Sequence, residues 1–136
     1  MSAASALTWK EGDPPIVGEY LELREAAGYG RASAGSVAKA LSGSIHCVTA
    51  KDGARLIAIG RVVGDWGLRA SIVDLTVHPD FNLDVVGKEA LDRLLHWCDE
   101  TLPRSCAVEL LPEPGRFSLY RSAGFEITTG MRLIRP

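Results

Sequence analysis

The chain has 136 residues, 46% of them hydrophobic, and a net charge of −2. That is the size of one domain, with apolar residues enough for a core that needs no staples. The charge shows none of the basic excess or stripe of a nucleic-acid binder, so no nucleic-acid partner is expected.

The three cysteines, Cys47, Cys98 and Cys106, are odd in number and show no C-x-x-C spacing. A disulfide framework or zinc site is therefore not expected. Buried free thiols in a reducing cytoplasm fit better. The opening MSAASALTWKEGDPP lacks the charged-then-apolar layout of a signal peptide. No apolar run approaches the ~18 residues of a membrane span, so no membrane partner is expected.

Taken in order, Leu7 to Glu11 reads as a short strand, and Asp13-Pro14-Pro15 breaks the chain. A helix from about Ile16 to Ala27 follows, with Val17, Tyr20, Leu21, Arg24 and Ala27 at helical spacing. Gly28-Tyr29-Gly30 ends it, and Ser33 can cap a second helix through about Leu41. Ile45 to Ala50, Arg55 to Val63 and Leu68 to Val77 read as three antiparallel strands. They are joined at Lys51-Asp52-Gly53 and Gly64-Asp65-Trp66-Gly67. Gly60 inside the second of them predicts a bulge or a close backbone approach.

The pattern changes after His78-Pro79-Asp80. Val86, Ala90, Leu91, Leu94, Leu95 and Cys98 place one apolar stripe on a helix of about four turns, with Asn82 or Asp84 as its cap. A strand running into a helix N-terminus is a place to hold an anion, because free N–H groups and the helix dipole point outward there. Cys106 to Leu111 is a strand reached by a crossover helix, so it should lie parallel to Leu68–Val77. Arg116 to Ala123 reads as a short helix, and Phe125–Ile127 with Met131–Ile134 as a final hairpin. Residues 1–136 thus form a single α/β domain of the α+β type, with a mixed, mostly antiparallel sheet of six to seven strands.

The order of these elements resembles that of the GCN5-related N-acetyltransferases. Two segments carry the likeness: DLTVHPDFNLDVVGK, where the family has a strand and a Q/R-x-x-G-x-G/A loop, and LYRSAGF, similar to F-Y-x-x-x-G-F. The resemblance implies helices on both faces and a fourth strand splayed from the fifth, with the pantetheine arm of acetyl-CoA in the gap. The backbone around Leu75, Thr76 and Val77 would bond that arm. The loop of Asn82, Leu83, Asp84, Val85, Val86, Gly87 and Lys88 would wrap the pyrophosphate. Tyr120 would act as general acid. The amine of a small molecule or peptide would enter past the first two helices, flanked by Tyr29, Arg31 and Trp66.

The sequence departs from the pattern in the loop. Asn82 stands at the family's Gln or Arg, Val85 at its first glycine and Asp84 where many members carry a cation. Lys88 compensates if its ammonium points back. For the general base, Ser71 and Val73 stand where the family often has Glu or His, and neither can serve. Asp74 is the only carboxylate on its strand, and alternation directs it opposite to Val73. Glu109 on the next strand and His78 at the strand end are further acid–base candidates.

Three functions remain open at this level: acetyl-CoA-dependent N-acetyl transfer, the same fold turned to other chemistry on a small molecule without acetyl-CoA, and a non-catalytic binding module. A homodimer is left open.

Overall fold

The computed structural model describes residues 6–136. The strands are β1 (Thr8–Glu11), β2 (His46–Asp52), β3 (Arg55–Gly64), β4 (Arg69–Val77) and β5 (Ala107–Glu109). The helices are α1 (Val17–Ala26), α2 (Ala34–Ser42), α3 (Leu83–Thr101) and α4 (Phe117–Arg121). Polar side chains fix two of the helix starts: Ser33 accepts from the Ser36 N–H at the head of α2, and Asn82 from the Val85 N–H at the head of α3.

The five strands form one sheet in sequence order, antiparallel from β1 to β4, with β5 parallel to β4. Alternation in the central strands feeds two cores. Cys47 and Ile59 pack with Tyr20, Leu23, Val37 and Leu41 of α1 and α2. Val48, Val62 and Ile72 pack with Ala90, Leu91 and Leu94 of α3. The mixed α+β architecture and the parallel crossover therefore follow the sequence pattern. Among the described residues no helix is long and apolar enough to cross a membrane.

β4 and β5 pair only at Arg69↔Ala107, Ala70↔Val108 and Ser71↔Glu109. Beyond Ser71, β4 runs on to Val77 without a β5 partner, and the two strands splay. Among the described residues the sheet has five strands rather than six to seven. The expected closing hairpin at Phe125–Ile127 and Met131–Ile134 does not form, and no strand occurs there. Ile127, Met131, Leu133 and Ile134 stay 66%, 94%, 85% and 76% exposed. Short strands that find no apolar surface to cover gain too little to offset the cost of ordering them.

Candidate active site

The register of β3 against β4 slips where the splay opens. Ile59 faces Thr76 and Arg61 faces Val73, so β4 carries one residue more than β3 between these pairs. Asp74 lies within this bulge with φ +64°, in the left-handed region that Asp tolerates better than most residues. Gly60 sits opposite. A Cβ there would come within 2.6 Å of Leu94 Cδ1 and 3.2 Å of Leu75 Cδ1, so its bareness lets both leucines pack beneath the bulge. The register breaks at Gly60 as expected, but the extra residue lies on β4, and the close neighbours of Gly60 are side chains rather than backbone.

The bulge overrides the simple alternation that directs Asp74 away from Val73. Both residues line one open pocket of about 310 Å³, whose wall also includes Tyr20, Arg24, Ser36 and Arg61. The Tyr20 hydroxyl donates to Asp74 Oδ2 at 2.6 Å, and Arg61 Nε donates to the same oxygen at 3.1 Å. Oδ1 accepts no hydrogen bond among the described residues, so one carboxylate oxygen is left for a ligand. Arg61 is held in turn by the Ala40 carbonyl and Ser44 Oγ. Burial, and then the Asp74 carboxylate, push the Tyr20 phenol above its ordinary pKa, so it remains a donor.

A second cluster sits at the splay. Arg116, at the head of α4, donates through Nη1 to the Leu75 carbonyl at 3.2 Å and approaches Glu113 at 3.5 Å. The Tyr29 hydroxyl donates to Glu113, joining the loop after α1 to the loop after β5. Thr76 is buried, and its hydroxyl donates to the Asp74 carbonyl at 3.2 Å, bracing the bulge. Val77 is buried in the core. Tyr120 is buried on α4 with its ring edge-on to Phe125. Its hydroxyl makes no hydrogen bond among the described residues. Burial raises its pKa, with the nearby Arg116 cation opposing the rise.

Residues 83–88 are the first turns of α3 rather than a free loop. Asn82 caps them, taking the Val85 N–H at 3.1 Å. The N–H groups of Leu83 and Asp84 make no hydrogen bond among the described residues. Asp84 and Val85 are both exposed, Val85 at 50%. Val86 and Gly87 are buried, and a Cβ on Gly87 would meet Leu83 at 3.3 Å and Leu119 at 3.6 Å. Its lack of a side chain therefore serves helix packing. Lys88 pairs with Asp92 at 3.0 Å, one turn further along, so its ammonium points away from the helix start.

The remaining candidates lie apart from the pocket lining. Glu109 forms a surface ion pair with Arg69 at 2.8 Å. His78 Nδ1 accepts the Asp80 N–H at 3.1 Å, which spends that nitrogen on its own turn. Trp66 packs edge-on to Trp97 of α3, on the side of the sheet opposite α1 and α2. Arg31 is exposed in the loop between α1 and α2. Tyr20, Arg24 and Arg61 were not singled out as site residues from sequence. A signal existed: Arg24 and Tyr20 are the polar members of an otherwise apolar stripe, and Arg61 breaks an apolar strand.

No family model matches the chain. An uncharacterized N-acetyltransferase from Porphyra purpurea is 32% identical over 71 residues, covering 52% of this chain and 40% of that protein. The match thus spans less than half of that relative's length. A Staphylococcus aureus structure, described as a protein of unknown function and probable acetyltransferase, superposes with a TM-score of 0.87 at 27% identity. That superposition covers 96% of this chain and 99% of the other. A GNAT-family acetyltransferase from Streptococcus pneumoniae superposes with a TM-score of 0.78 at 26% identity, over 95% and 98%.

Proposed function

We propose that the chain, which shares its fold with GNAT-family acetyltransferases, transfers an acetyl group from acetyl-CoA to the amine of a small molecule or peptide. The observation that carries this reading is Asp74, whose bulge turns a half-engaged carboxylate toward the pocket beside the point where β4 and β5 part.

The residues at the splay fit acetyl-CoA. The Leu75 carbonyl faces the gap and already accepts a donor there, as a pantetheine amide would require. The Leu83 and Asp84 N–H groups at the start of α3 offer positive backbone dipole to a pyrophosphate. Asp84 opposes that anion. At ~4 Å in water-like surroundings one such charge is worth roughly 1 kcal/mol, which weakens binding without abolishing it.

Acetyl-CoA, when bound, supplies the carbonyl carbon that the amine attacks and the thiolate that leaves. Asp74 Oδ1 receives the ammonium proton, directly or through a water, so that the nitrogen lone pair is free to form the new N–C bond. Arg61 and Tyr20 hold the carboxylate in place from the other oxygen. The Tyr120 phenol, kept protonated by burial, would give a proton to the departing sulfur and would regain one from the second N–H that the nitrogen sheds on becoming an amide. The free thiols Cys47, Cys98 and Cys106 suit the cytoplasmic setting proposed for this reaction. The exposed Ile127, Met131, Leu133 and Ile134 suit a homodimer in which a second copy covers them.

Calorimetric titration with CoA and acetyl-CoA tests the reading, with binding expected in the micromolar range or weaker. No heat at millimolar ligand defeats it. The capped helix start and the Arg116–Leu75 bond favour a second reading, the same fold serving other small-molecule chemistry without acetyl-CoA. Asp84→Lys discriminates, because removing one charge and adding its opposite, about 2 kcal/mol together, should tighten CoA about 30-fold only if the helix start faces the pyrophosphate.

A further inference from the structure

The pocket's charges do not balance. Arg61 is paired with Asp74 through Nε and bonded to Ala40 and Ser44 through Nη1, so its charge is already balanced by the Asp74 carboxylate. Tyr20 is neutral. Arg24 is different. It makes one long contact, 3.4 Å from Nη1 to the Tyr20 hydroxyl, and its Nε–H is buried without a partner among the described residues. Its guanidinium lies 5.8 Å from the centroid of the Tyr29 ring, which orients the group without neutralising it. Glu113, the nearest acid on the far loop, is engaged by Tyr29 and Arg116. One cation is therefore left over in a pocket lined by small and apolar residues of α2.

Its distance from the carboxylate is set by Tyr20, whose hydroxyl touches Arg24 at 3.4 Å and Asp74 at 2.6 Å. Cation and carboxylate thus stand within two hydrogen-bond lengths of each other. A ligand spanning them needs an amine and an anion separated by a few bonds. Resting on the acetyltransferase reading, we propose that the acceptor is a compact zwitterion, a primary amine bearing a carboxylate or phosphate close by. Arg24 holds the anion, and the amine faces Asp74 Oδ1. Arg24 is then a specificity-determining residue. A guanidinium fork matches carboxylate and phosphate alike, so both sources of the anion share one chemistry. The pocket volume of about 310 Å³ favours a ligand of this size over a long one.

The test compares acceptors matched in size: glycine, β-alanine and 2-aminoethyl phosphate against glycinamide, propylamine and 1,3-diaminopropane. Wild-type kcat/KM should favour the anionic amines by about 10- to 100-fold, the range of a charge-assisted hydrogen bond. Arg24→Gln should erase that preference, lowering kcat/KM for the anionic amines at least tenfold more than for glycinamide, and Arg24→Lys should restore part of it. Equal use of neutral amines, a preference for the diamine, or an equal loss on all acceptors in Arg24→Gln overturns the proposal. Calorimetry with β-alanine and with 2-aminoethyl phosphate, without acetyl-CoA, gives a reading independent of turnover. Binding to wild type that is lost in Arg24→Gln supports the anion site even if no acetyl transfer is found. Binding that is absent or unaltered by the substitution overturns the site even if transfer to other amines is found.

Discussion

Tyr20 and Asp74, 54 positions apart in sequence, meet through a 2.6 Å hydrogen bond from phenol to carboxylate. The bond ties α1 to the bulge of β4 and leaves Asp74 with one oxygen to spend on a ligand. Arg61 reaches the same oxygen as Tyr20 does, and the two side chains of this ion pair are 12% and 14% exposed.

Asp74→Asn should keep the fold, because Asn also tolerates the left-handed backbone. It should lower kcat for acetyl transfer roughly 10²- to 10⁴-fold, the usual range for a lost acid–base group. Asp74→Ala should in addition destabilise the protein by about 3 kcal/mol, because Arg61 is left buried without its counter-charge. Steady-state rates and urea denaturation separate the two effects, and full turnover in the Asn variant would remove the carboxylate from the chemistry.

Tyr120→Phe removes a hydroxyl that has no protein partner, so stability should change by less than about 1 kcal/mol. Turnover should fall roughly 10²-fold if the phenol protonates the leaving thiolate. Because burial raises the Tyr120 pKa above 10.0, loss of the acid should not limit the wild-type rate below that pH. An alkaline limb tied to this residue at neutral pH would contradict the assignment.

Alkaline stability follows from groups that hold their protons more tightly when folded. Burial pushes Cys47 from 9.0 to about 12 and Cys98 to about 11, and it raises Tyr20 and Tyr120 above 10.0. The unfolded chain releases these protons first, so the stabilisation is complete below about pH 9 and is lost as pH climbs through the folded values. Melting temperature measured from pH 8 to 11 should decline from near pH 9, with a shallower decline in Cys47→Ala.

Arg116→Ala frees the Leu75 carbonyl. If that carbonyl receives the pantetheine arm, CoA should bind about fivefold tighter, the equivalent of one net hydrogen bond no longer displaced. Calorimetry reads this directly. Weaker binding would assign Arg116 to the ligand instead of to the closed cleft.

Gly60→Ala should cost about 1–3 kcal/mol, because the added methyl group drives Leu94 and Leu75 out of contact distance. Chemical denaturation measures that cost. Asp74 rests on the same bulge, so turnover should fall beyond what the lost stability explains.

The order of elements was legible because each is written in local periodicity: the stripe of α3, the alternation of β2 to β4, and the caps Ser33 and Asn82. The parallel pairing of β5 followed from the crossover helix. The pocket was less legible. Bulges come from a mismatch between two strands, which no single strand displays, so alternation aimed Asp74 the wrong way. Tyr20 and Arg24 looked like members of a packing stripe, and only the placement of α1 over β4 turns them into a wall of the pocket. The tail from Phe125 to Ile134 has the composition of strands, but composition does not supply a surface for them to cover.

The left-handed backbone at Asp74 narrows the chemical vocabulary of that position. Glycine would sit there with ease but bring no functional group, and asparagine would bring an amide. Glutamate, a common base elsewhere, is disfavoured in that backbone, and of the acid–base side chains only aspartate and histidine are enriched there. A chain that keeps this bend and needs a carboxylate there is left with aspartate, so the curvature of β4 and its acidic group would have to change together.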